Sequence, residues 1–320
     1  MKAPRGVSLM HLTCRNGHAA VTKLLIERKL DPELVDKYGN TALVEACKQG
    51  HMVVSWLLLD MGANVAAENN KKANPLIMAC MSGHERLVQL LLKHGADLTH
   101  ANDDGGTPLH IASYCGHESV ARVLFEKSET DADTSAASAA SLTSKDGFSP
   151  LYCASWNGHA AVARLLLEFG ADSGQKMNDG ATPLFVACFC GHEVVVKLLL
   201  ERSSDVRASL SQANNLGATP LIVACQYGHE NVVRYLLKRG ADVAMPSNEG
   251  TTPLLTACQH GHDGVARMLI ERGADIAEVG SCTIWSILLV CVTLACNAFA
   301  VHRGTHVAGR RCTGRARTAT

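Results

Sequence analysis

The dipeptide Gly-His recurs at Gly17, Gly50, Gly83, Gly116, Gly158, Gly191, Gly228 and Gly261, at spacings of 33, 33, 33, 42, 33, 37 and 33 residues. A fixed period of that length marks a repeat array, whose units are too small to bury their own apolar faces and share a core with their neighbours. This constraint outranks length, because 320 residues would otherwise suit two average domains.

Each position in the repeat has a physical role, clearest in the copy Gly217 to Asp242. Thr219 before Pro220 reads as an N-cap followed by proline at the first helical position, where a missing N–H costs nothing. Leu221, Ala224 and Cys225 recur at helical spacing, and Gly228 can take the left-handed conformation that ends the helix. Val232, Val233, Leu236 and Leu237 form the apolar stripe of a second helix, closed by Gly240. Between copies, Asn178-Asp179-Gly180, Asn214-Asn215-Leu216-Gly217 and Asn248-Glu249-Gly250 carry hairpin-turn chemistry.

These residues together resemble the ankyrin-repeat family, whose frame of Gly-x-Thr-Pro-Leu-His, Gly-His, Leu-Leu and Gly-Ala-Asp is matched from about Gly6 to Ile276. The resemblance implies an all-α ankyrin-repeat solenoid of stacked helix-turn-helix units joined by β-hairpin loops, and it implies binding of other proteins. The signature histidine survives only at His110 and, in a degenerate first copy, at His11; Val44, Ile77, Tyr152, Phe185, Ile222 and Leu255 replace it elsewhere. Copy three begins Lys71-Lys72-Ala73-Asn74-Pro75 without its turn glycine, which puts that hairpin's geometry in question.

The array divides into an N-terminal stub at 1–5, eight repeats over 6–277, an apolar segment at 282–301 and a basic tail at 302–320 that reads as disordered. The spacing of 42 places extra residues within 128–145, a Ser/Ala/Thr/Asp stretch expected to be a flexible surface loop. The spacing of 37 places more within 203–215, expected to be a longer hairpin or turn. Residues 282–301 carry no charge and as a helix would span a bilayer core of roughly 30 Å. That anchor would set the arginine-rich tail and the thiol-rich repeats on opposite sides of a membrane, against the expected placement of both. A helix packed on the open end of the stack, or a sequence accident at the C-terminus, are the other readings.

Composition excludes several function classes. Thirty basic and thirty acidic residues give no formal net charge, which removes the basic footprint of a general nucleic-acid binder. The balance is uneven: Arg303, Arg310, Arg311, Arg315 and Arg317 follow the last acid, leaving 30 − 5 = 25 basic against 30 acidic residues before them. Thirteen cysteines in a long chain without a secretory start point to free thiols in a reducing cytoplasm or nucleus.

The Gly-His histidines, one per repeat, stand about one helix-packing distance of roughly 8 to 10 Å apart, too far to share a metal. Each is expected to tie its own helix start to nearby backbone. Cys14, Cys47, Cys80, Cys188, Cys225 and Cys258, with Ser113 and Ser155, form a column of small buried residues rather than ligands. No phosphate-cradling glycine loop, nucleophile elbow or zinc-protease motif occurs, so the chain reads as non-enzymatic, without metal or cofactor.

Two residues before each Gly-His glycine stand Arg15, Lys48, Met81, Tyr114, Trp156, Phe189, Gln226 and Gln259, with Tyr227 one step on in copy seven. In the geometry that the resemblance implies, this position faces a concave groove. Tyr114, Trp156, Phe189 and Tyr227 then form an aromatic stripe, of the residue types that dominate interface energy. The competing reading is ordinary packing between inner helices. Arg15 and Lys48 are expected to give the groove a basic end, and the tip residues Tyr38, Asp104, Asp179, Leu216 and Glu249 to complete it. The partner is a protein or peptide, the array a monomeric scaffold; alternatives are a membrane-anchored adaptor or the repeat portion of a larger enzyme or channel.

Overall fold

The structure is a computed structural model and describes residues 7–130 and 136–276. The expectations for 1–5, 282–301 and 302–320 lie outside the described residues. Helices come in pairs along the chain: α1 and α2 (Leu9–Arg15, Ala19–Glu27), α3 and α4 (Ala42–Gln49, Met52–Asp60), α5 and α6 (Pro75–Met81, Glu85–Lys93). Then come α7 and α8 (Pro108–Cys115, Glu118–Thr130), α9 (Ala136–Ser141), and α10 and α11 (Pro150–Trp156, Ala160–Glu168). The chain continues with α12 and α13 (Pro183–Cys190, Glu193–Arg202), α14 (Val206–Ser211), α15 and α16 (Pro220–Gln226, Glu230–Lys238), and α17 and α18 (Pro253–Gln259, Asp263–Glu271). The first helix of each pair packs on the first helix of the next, and the second on the second, so one core runs the length of the stack.

The helix starts are those the sequence predicts. Thr219 Oγ1 accepts the Ile222 amide at 3.2 Å, Pro220 opens α15, and Gly228 follows its end at φ +67°. Val232, Val233, Leu236 and Leu237 are the buried face of α16. His110 uses both ring nitrogens: Nδ1 accepts the Thr107 hydroxyl at 2.8 Å and Nε2–H donates to the Phe148 carbonyl of the next unit at 2.9 Å. His11 repeats this arrangement with Ser8 and Asn40.

Three expectations need correction. The hairpins have no strands among the described residues; each is a closed turn, as where Gly39 N–H donates to Asp36 O and Asp36 N–H to Asn40 O, both at 3.0 Å. Two ladder bonds per turn are too few to sustain a strand, and the turns bond to each other instead. The insertion within 128–145 is not a plain loop: α8 runs on to Thr130, and α9 buries Ala140 completely while Ala136 and Ala139 pack on the core. Alanine is small enough to cover the second-helix layer without long side chains. Within 203–215, Asp205 accepts the Ala208 amide and starts α14, which buries Leu210.

The missing glycine of copy three does not change its turn. Lys72 itself takes φ +56°, and its amide donates to Asn69 O at 2.9 Å, matching Gly39.

At the N-terminal end the core is uncovered among the described residues. Val21 is 45% exposed although the same position in copy two, Val54, is 1% exposed; Leu9, Leu12 and Leu24 are exposed for the same reason. These side chains face the place where a preceding unit would pack.

Candidate partner-binding face

Successive units are stitched along two lines, and both present side chains to the same side. The first line joins the turns. Asn70 N–H donates to Tyr38 O at 2.9 Å, Lys145 to Asp104 O at 3.1 Å, Asn215 to Asp179 O at 2.8 Å and Asn248 to Leu216 O at 3.1 Å. Asparagine side chains double the link: Asn215 Nδ2 donates to Asn178 O and Asn248 Nδ2 to Asn215 O, at 3.1 and 3.0 Å. Sequence reasoning assigned these asparagines to the turns alone; their recurrence two residues before the turn glycine was the signal that they also bind the neighbouring unit.

The second line joins the first-helix ends. His51, His117, His159, His192, His229 and His262 each donate Nε2–H to a backbone carbonyl of the preceding unit, those of Arg15, Met81, Tyr114, Trp156, Phe189 and Gln226. The distances run from 2.9 to 3.2 Å. Each histidine thus ties its own helix start to nearby backbone, as expected, and that backbone belongs to the preceding unit. The histidine reaches the neighbour's helix end because the ring lies over the neighbour's glycine: a Cβ at Gly158 would stand 2.5 Å from Nδ1 of His192. Burial holds His159 and His229 below the ordinary histidine pKa.

Every residue of the expected stripe thus sits on a carbonyl-clamped helix end. Trp156, Phe189 and Tyr227 are half-buried, packed against the core on one side and open on the other. Their rings meet in sequence: Trp156 to Phe189 with centroids 5.8 Å apart, and Phe189 to Tyr227 edge-on at 4.6 Å. The path also runs back along α10, where Tyr152 stands 6.1 Å from Trp156, and on to Phe148, two residues before that helix, 5.2 Å from Tyr152. Phe148 and Tyr152 were not among the expected site residues; the i, i+4 spacing of Tyr152 and Trp156 on α10 was the available signal for the second. Burial, with the charge of Asp179, pushes the Tyr152 hydroxyl well above its ordinary pKa. Tyr114 is half-buried at the end of α7.

The opening copies differ from expectation. Arg15 is not a free positive charge: its Nε donates to Glu45 Oε2 at 2.9 Å, and the Glu45 side chain is almost fully buried, so the pair cancels. Met81 packs on a small apolar cluster of Val44, Ala73, Ile77 and Met78. Lys48 is half-buried, and its carbonyl accepts Ser82 Oγ.

At the tips, Tyr38 is 58% exposed with Lys37 Nζ 4.5 Å from its ring centroid. Asp104, Leu216 and Glu249 are exposed, and Asp179 is half-buried with Oδ1 accepting the Ala181 amide. Tips and helices share one concavity: Leu216 and Glu249 line a cleft with Ile222, Gln226, Gln259 and His260.

Among the described residues no group of three or more His, Cys, Asp or Glu side chains could hold a metal ion, and the nine cysteines there are free. Burial pushes Cys115 up to about 11, and Cys47, Cys153 and Cys190 up to about 12, so these thiols stay protonated and unreactive. No helix of the described residues is long and apolar enough to cross a membrane.

No curated protein matches the chain at a significant level. A family model described as ankyrin repeats (3 copies) matches residues 1–69, 53–137, 134–210 and 206–279. Period, caps, turn-to-turn bonds and the family match coincide over most of the sequence, and the chain belongs to the ankyrin-repeat family.

Proposed function

We propose that the array is a non-catalytic scaffold that captures a protein or peptide along its concave face, with Trp156, Phe189 and Tyr227 as anchors. The supporting observation is the run of neighbouring rings Trp156, Phe189 and Tyr227, each half-buried, at helix ends held by histidine. Ankyrin repeats are in general protein–protein interaction modules, and a face this well fixed loses little freedom on binding. Tyr114, Met81, Lys48 and Arg15 extend the same line, and Tyr38, Asp104, Asp179, Leu216 and Glu249 supply contacts from the tips. The paired Arg15 contributes hydrogen-bonding capacity rather than net charge. The scaffold acts as a monomer in the cytoplasm or nucleus, without cofactor, metal or nucleic acid.

The test is capture of partners by the full chain against Trp156→Ala/Phe189→Ala, read beside thermal melts. Loss of capture with a melt lowered by a few degrees supports the reading. Equal loss of capture and of folded protein shows that the rings serve the core alone.

A further inference from the structure

Among the described residues, the C-terminal face of copy eight lacks the contacts that a following unit makes in the earlier copies. Ile270 is 49% exposed where its counterparts Leu237, Leu200, Leu92 and Leu59 are 6% or less. Cys258 is exposed, while Cys14, Cys47, Cys80, Cys188 and Cys225 of the same column are fully buried. A Cβ at Gly261 would meet nothing within 4 Å, although the equivalent glycines of seven earlier copies lie under a neighbour's histidine ring. Gly250, the last turn glycine, is open in the same way. A stack of this kind needs its terminal faces covered to remain soluble.

The sequence that follows carries the period one step further. Adding 33 to Leu254, Ala257 and Cys258 gives Ile287, Val290 and Cys291. The first two columns are apolar or small and buried in copies two to eight; Cys291 falls in the cysteine column. Val290 stands where copies two to eight have alanine, but copy one has Thr13 there, so a branched side chain suits an end unit. The next Gly-His would fall on Leu294-Ala295, so the match extends to one helix and not to a whole unit. Only ten residues separate Ile276 from Ile287, enough at about 3.3 Å each to cross one unit of roughly 10 Å.

We propose that residues 286–292 dock on the exposed face of copy eight in this register, as a ninth first helix that caps the stack. The apolar segment 282–301 is then part of the solenoid's end rather than a membrane anchor. Ile287 lies over Leu254 and Cys291 continues the cysteine column, so the cap covers Cys258. This inference does not rest on the partner-binding reading.

Pulse alkylation of the full chain with N-ethylmaleimide, resolved by peptide mass spectrometry, tests it. Cys258 is expected to label at least tenfold more slowly in the natural chain than in Ile287→Asp/Val290→Asp. Cys225, buried in copy seven, reports that both chains stay folded by labelling in neither; should the double variant label there, Val290→Asp alone serves in its place. Equal, rapid labelling of Cys258 in natural and variant chains overturns the proposal. So does a rise of Cys258 labelling to the variant's rate when phosphatidylcholine vesicles are added, which would show the segment leaving the stack for a bilayer.

Discussion

His192 donates its Nε2–H to the carbonyl oxygen of Trp156 across the boundary between copies five and six, at 2.9 Å. Trp156, the anchor of the proposed function, thus has its carbonyl held by the next repeat. Replacing His192 by Ala leaves that carbonyl without its donor and removes the ring that covers Gly158. The expected loss is about 1–3 kcal/mol, read from urea unfolding, with partner affinity falling as the helix end loosens. A stability change within error would show the bond to be incidental.

His110 gives the array an acid-sensitive joint. Burial penalises the charged ring and lowers its pKa from 6.5 to about 4, against the opposing pull of the carbonyl that accepts its Nε2–H. Since the folded value is depressed, the stabilisation is complete above 6.5 and is lost as pH falls toward 4. Between pH 7 and pH 5 the natural chain should lose about 2 kcal/mol more than His110→Ile, which borrows the side chain of Ile77 and Ile222. Denaturant midpoints at the two pH values measure it; parallel shifts in both chains would contradict the assignment.

Ser113 and Ser155 occupy the cysteine column, and their buried hydroxyls have no hydrogen-bond partner. In copies one and two the facing position is Thr22 or Ser55, within reach of the thiol, but in copies four and five it is Ala121 or Ala163. Ser155→Ala should therefore stabilise the fold by about 1 kcal/mol, seen as a raised melting temperature. A destabilised variant would mean that the hydroxyl is satisfied in solution.

Lys72 holds a left-handed turn that glycine holds in copies two and four to eight. Lys72→Gly is expected to stabilise by up to about 1 kcal/mol, whereas Gly180→Ala should destabilise by more, since its Cβ would fall 2.5 Å from Asn215 Oδ1. Paired melting curves decide whether the two changes have opposite signs.

Val21→Ala and Val54→Ala remove the same atoms from equivalent positions of copies one and two. The second should cost about 2 kcal/mol and the first under about 0.5 kcal/mol, because only Val54 is enclosed. Similar costs in calorimetry would show that something covers the N-terminal face in solution.

Local chemistry was legible where one residue fixes one backbone state: Thr219-Pro220 opened a helix, and Gly228 followed its end, as read. What depended on the neighbouring unit was not legible. The reach of His192 to Trp156, of Asn215 to Asn178 and of Arg15 to Glu45 joins residues 36, 37 and 30 positions apart, and no local pattern states which partner wins. The 128–145 insertion misled for another reason. Its Ser/Ala composition looks like linker, yet alanine is a strong helix former and small enough to lie flat on an existing surface.

The bridges made by the Gly-His histidines point backwards along the chain, each completing the unit before it. During vectorial synthesis a repeat therefore cannot finish folding when its own last residue leaves the ribosome. It waits for the following 33 or so residues, about 2 to 7 seconds at ordinary elongation rates. Assembly would trail translation by one module, leaving a single unfinished edge for chaperones to shelter at any moment.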